Sequence, residues 1–70
     1  MQRTPVQSSN LLSVGYDRLN RVMEIEFNSG HVYQYFNVPE EIYIGLLNAS
    51  SHGKYFHQHI RNAYQYRQVG

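Results

Sequence analysis

Seventy residues without a cysteine exclude a disulfide framework, a thiolate metal site and a catalytic thiol. A chain this short buries only about 60% of the surface its unfolded form exposes, so seven tyrosines and three phenylalanines must supply the packing bulk. The net charge of +1 conceals a division: residues 1–41 set Arg3, Arg18 and Arg21 against all five acids (Asp17, Glu24, Glu26, Glu40, Glu41), giving −2, whereas residues 42–70 carry Lys54, Arg61 and Arg67 unopposed, giving +3. Such asymmetry points to an anionic partner for the C-terminal part. No run reaches the roughly 18 apolar residues of a membrane span, and Met1-Gln2-Arg3-Thr4-Pro5 lacks a secretory apolar core, so the expected location is cytoplasmic.

Leu11 to Tyr16 alternates with the period of a half-buried strand, which sends Leu12, Val14 and Tyr16 to one face and Ser13 and Gly15 to the other. After a polar turn at residues 17–21, Val22 to Phe27 repeats the pattern, with Met23, Ile25 and Phe27 toward the core and Glu24 and Glu26 toward water. Asn28-Ser29-Gly30 then reads as a three-residue hairpin loop in which Gly30 takes the left-handed conformation, pairing Phe27 with His31, Ile25 with Tyr33 and Met23 with Tyr35. In that register Tyr33 and Tyr35 share the core face, and Val32, Gln34 and Phe36 face the other way.

Asn37 is positioned to cap a helix running to about Ala49, with Pro39, Glu40 and Glu41 in its first turn. Ile42, Tyr43, Leu46 and Leu47 form its apolar stripe, beside Gly45, which allows close approach to the sheet. A second helix is predicted from Lys54 to about Ala63, turning Tyr55, Phe56, His59, Ile60 and Ala63 inward and Lys54, His57, Gln58 and Arg61 outward. Residues 64–70 form a tail or a short added strand, and Val6 to Asn10 are candidates for an edge strand. The fold class is α+β: a three- to four-stranded antiparallel meander with two C-terminal helices packed on one face, one domain over residues 1–70 with its core at about 6–67.

Several motifs now stand in order: Ser8-Ser9-Asn10, Val14-Gly15-Tyr16-Asp17, Glu24-Ile25-Glu26-Phe27 with Ser29-Gly30, Val32 to Pro39, and Gly53-Lys54-Tyr55-Phe56. Together they resemble the KTSC domain, the module at the C-terminus of some lysyl-tRNA synthetases that is also found alone in small bacterial proteins. The central Tyr33-Gln34-Tyr35 is the feature most typical of that family. The pattern departs at His57-Gln58-His59 and at Gln65, a place the family associates with proline. The resemblance implies RNA binding, through the link to a tRNA-charging enzyme, and implies neither a cofactor nor catalytic residues.

Two tyrosines alternating on a strand are the arrangement with which RNA-binding sheets stack bases, but Tyr33 and Tyr35 share the face of Met23 and Ile25 and read as structural. The preferred contact surface is instead the cationic and aromatic C-terminal segment: Lys54, Tyr55, His57, Arg61, Tyr64, Tyr66 and Arg67, with His52 and His59 nearby. No metal is expected, because His57 and His59 diverge on a helix and no histidines lie four apart. No enzyme is expected either: the serines lack an elbow motif, Glu24 and Glu26 lie on a solvent face, and the glycines form no phosphate loop. The leading reading is a non-catalytic nucleic-acid-binding module, with RNA as the ligand. The alternative is a protein-interaction or assembly module, homodimerisation included, acting through Val22, Val32 and Phe36.

Overall fold

The computed structural model describes residues 1–70. Its strands cross one antiparallel sheet in chain order: β1 (Arg3–Pro5), β2 (Leu11–Asp17), β3 (Val22–Phe27), β4 (Val32–Tyr35) and β5 (Tyr66–Gln68). The helices α1 (Glu40–Asn48) and α2 (His52–His59) are inserted between β4 and β5. They close one face of the sheet around Leu11, Val14, Met23, Ile25 and Tyr35, to which they and their approach contribute Val38, Leu46, Phe56 and Ile60. The layering is the expected α+β, but the sheet has five strands where three or four were expected. The N-terminal edge is made by Arg3–Pro5 and not by residues 6–10, and the tail supplies β5.

The β3–β4 hairpin has the anticipated register, Met23 opposite Tyr35 and Ile25 opposite Tyr33. Gly30 at φ +96° closes it, donating its N–H to the Phe27 carbonyl. In β2 the expected facing fails at one residue. Leu11 lies opposite Phe27 and Ser13 opposite Glu26, so Leu12 is the extra residue of a bulge. Leu11 is buried with Val14, while Leu12 is exposed.

The helices also correct details of the sequence reading. Asn37 does not cap α1: at φ 58° it turns the chain out of β4, a left-handed conformation asparagine tolerates, and the cap position falls to Pro39. Leu46 is fully buried on α1 as its stripe requires, but Gly45 makes room for the Tyr55 ring of α2, not for the sheet. The second helix begins earlier than expected because the Ser51 side chain caps it, accepting from the Lys54 N–H. It also ends earlier. Ile60 leaves helical geometry at φ −122°, which puts Ala63 past the end and exposed, and His59 lies outside the core, its ring centroid 4.4 Å from that of Tyr55.

The opposite face of the sheet is polar at its centre. The Arg3 guanidinium reaches Glu24, Glu26 and the Ser13 hydroxyl, and the Gln34 amide donates to the second Glu24 oxygen at 2.9 Å. Glu24, expected in water, is only 8% exposed beneath these groups. Burial pushes its pKa up, but the hydrogen bonds from Gln34 and Arg3 and the arginine's charge outweigh that and hold the carboxyl below its ordinary value. The Glu24–Gln34 pair separates Val22 and Phe36 from Val32, and all three apolar residues are half-buried. They form no continuous apolar surface.

Candidate functional site

Helix α2 covers the middle of the sheet but stops short of its β4–β5 corner, and an open groove of about 530 Å3 remains there. The register sets its floor. Tyr35 lies opposite Tyr66 and Tyr33 opposite Gln68, so all four side chains share the helix-side face. Phe56 is the hub of this aromatic layer, with ring centroids 5.3 Å from Phe27 and 5.6 Å from Tyr35, both edge to face. Tyr66 tilts over the outer side, 5.7 Å from Tyr33 and 5.6 Å from Tyr35. It is 58% exposed, whereas Tyr35 is 4% exposed.

The rim carries cations and donors. From α2 and the turn after it come His57, Arg61 and Asn62; from the hairpin loop come Ser29 and His31. Arg61 Nη1 lies 3.3 Å from His57 Nδ1. A guanidinium only donates, so Nδ1 accepts and His57 carries its proton on Nε2. On the opposite rim the Gln68 amide nitrogen donates to the Gly70 carbonyl and lies 3.0 Å from His31 Nδ1, which fixes the same tautomer there. No carboxylate lines the groove. The Tyr35 phenol is pushed up to about 12, first by burial and then by the neighbouring Tyr33 and Tyr66 phenols, against the lowering effect of Arg61.

The sequence profile of the KTSC domain matches residues 7–67. The chain belongs to the KTSC domain family. A crystal structure of a KTSC domain protein from Yersinia pestis superposes with a TM-score of 0.96 at 42% identity, covering 99% of this chain and 97% of that one. An uncharacterized protein of Stutzerimonas stutzeri is 47% identical over 58 residues, 83% of this chain and 82% of its own length. A lysine–tRNA ligase of Trichormus variabilis is 41% identical over 54 residues, which is 77% of this chain and only 10% of the ligase. The KTSC domain is thus related to a small segment of a much longer enzyme.

Within this KTSC domain the residues singled out from sequence separate. His57, Arg61 and Tyr66 meet at the groove. Tyr33 and Tyr35 belong both to the packed layer and to the groove floor. Lys54 is exposed on α2 but outside the groove. Tyr55 packs on the far side of that helix, where it meets Gly45 and His59, and Tyr64 is half-buried against the core. Arg67 pairs with Gln34 across β4–β5 and so lies on the opposite face of the sheet. His52 ties the helices together, its Nδ1 donating to the Leu46 carbonyl at 2.7 Å.

Phe27, Ser29, His31 and Asn62 are groove residues that the sequence reading did not single out. The hairpin register already set Phe27 and Tyr33 on one face. The absent signal was the strand at residues 66–68, without which nothing brings Tyr66 beside them. No three histidine or acidic side chains converge anywhere in the chain, and no helix is long and apolar enough to cross a membrane.

Proposed function

We propose that this KTSC domain is a non-catalytic nucleic-acid-binding module, with RNA as its ligand, and that the groove between α2 and β5 is the contact surface. The observation that carries the reading is the joining of an exposed aromatic ring, Tyr66, to the Arg61–His57 pair in a groove with no carboxylate. Rings stack bases and guanidinium groups hold phosphates, and an acid among them would repel the ligand. The relationship to a segment of lysine–tRNA ligases adds support, since the name of those relatives includes an RNA.

The test is RNA binding measured at two or more salt concentrations. Arg61→Gln should leave folding nearly intact, because the side chain is exposed, and should flatten the salt dependence by about 0.7 of a unit of log–log slope if it holds one phosphate of an RNA strand. Arg67→Gln is the internal control: the same charge is removed from the opposite face, and affinity and slope should hardly move. RNA binding that ignores Arg61 but falls with Arg67 would place the ligand on the other face, and no binding at low salt would remove the proposal.

A further inference from the structure

We infer, resting on the nucleic-acid reading above, that the groove takes a single unpaired nucleotide, its base against Tyr66 and its phosphate on Arg61, so that the ligand is single-stranded and not duplex. The arrangement of surfaces leads to this. The floor rings of Tyr35 and Phe56 are each 4% exposed, which leaves Tyr66 as the groove ring with the most free surface, on an edge strand whose residues are all exposed. A base inside a duplex is stacked on both sides and has no face to give such a ring. A duplex would offer only its phosphates to Arg61 and leave Tyr66 in water. An unpaired nucleotide satisfies both groups at once.

The polar groups around the ring match the remaining edges of a nucleotide. His57 and His31 each have Nδ1 engaged, by Arg61 and Gln68, which leaves an Nε2–H donor on each with no partner in the chain. Asn62 and Ser29 add groups able both to donate and to accept. This is one short rim around one exposed ring, not an extended stripe of cations. Lys54 and Arg67, which would lengthen a backbone track, lie outside the groove and on the opposite face.

The experiment compares three probes by equilibrium binding at fixed low salt: a mixed-sequence RNA hexamer, the same hexamer sequence embedded in a blunt duplex of about twenty base pairs, long enough to stay paired at low salt, and an abasic strand of the hexamer's length. The single strand should bind at least about tenfold more tightly than either of the others. Tyr66→Ala should weaken the single strand by roughly five- to a hundredfold, the range for loss of one stacked base, and leave the weak duplex binding unchanged. Tyr66→Phe, which keeps the ring, should retain most of the affinity. Thermal melting of both variants should stay close to the parent, since the side chain is largely exposed. A duplex or abasic strand bound as tightly as the hexamer, with no effect of Tyr66→Ala, would overturn this inference and leave the nucleic-acid reading standing. Absence of binding by all three probes would remove both.

Discussion

The core of this small domain is bounded by tyrosines at both ends, and the two ends treat the same side chain differently. At one end Tyr16 and Tyr43 stack with centroids 5.1 Å apart and planes within 14°, and the Tyr16 hydroxyl donates to the Val38 carbonyl. That end is closed, with its phenol engaged by the chain itself. At the other end Tyr33 and Tyr35 each meet Tyr66 at a tilt; Phe56 of α2 covers Tyr35, but the helix ends before covering Tyr66. The difference shows that aromatic content does not distinguish packing from recognition. What does so is whether a helix covers the ring and whether its hydroxyl is already bonded.

Truncating the most buried ring of the open end tests whether that end is core at all. Tyr35→Ala should cost about 3–5 kcal/mol, the range for emptying a large aromatic site, and in a domain this small that should appear as unfolding in a thermal melt. A variant melting like the parent would show that the open end carries none of the fold.

The ionisation of Tyr35 sharpens the same point with a smaller effect. Its folded pKa of about 12 lies above the ordinary 10.0. The neutral form is therefore favoured by folding, and the contribution is complete below pH 10 and lost as pH rises toward 12. The parent should lose more stability over that interval than Tyr35→Phe, which has no proton to release there. Equal losses in alkaline denaturation curves would mean that the phenol is solvated as freely in the folded state as in the unfolded one.

At the closed end, Tyr16→Phe keeps the stack and removes only the hydroxyl that bonds Val38, so a cost near 1 kcal/mol is expected, measured by denaturant midpoint. A neutral result would erase the contrast between the engaged Tyr16 hydroxyl and that of Tyr66, which bonds no group of the chain.

How much of this was legible depends on how local the governing signal is. The β3–β4 hairpin could be read residue by residue, because alternation fixes each face and Gly30 fixes the turn. Leu11-Leu12 could not: two adjacent leucines suit either facing, and the bulge that decides between them depends on pairing with Phe27 and Glu26. The C-terminal cations read correctly as a charge excess but not as one surface. Tyr66-Arg67-Gln68 has little apolar pattern, and only its assignment as a strand reveals that Tyr66 and Arg67 point to opposite faces. The groove is thus half legible. His57 and Arg61 follow from helical spacing, while its hairpin rim and the placement of Tyr66 depend on a pairing between residues more than thirty positions apart.

The edge strand β1 has a consequence for association. Val6 donates its N–H to the Leu12 carbonyl, so by alternation the nitrogen of Pro5 faces away from the sheet, along the free edge, where it has no hydrogen to offer. A neighbouring molecule cannot complete a ladder of hydrogen bonds on that side. At the far edge β5 is three residues long and carries Arg67, so a second copy approaching edge to edge meets its own charge. Short, charged or proline-bearing edges are how sheet proteins avoid polymerising. Both free edges of this open five-stranded sheet thus carry features that work against edge-to-edge growth.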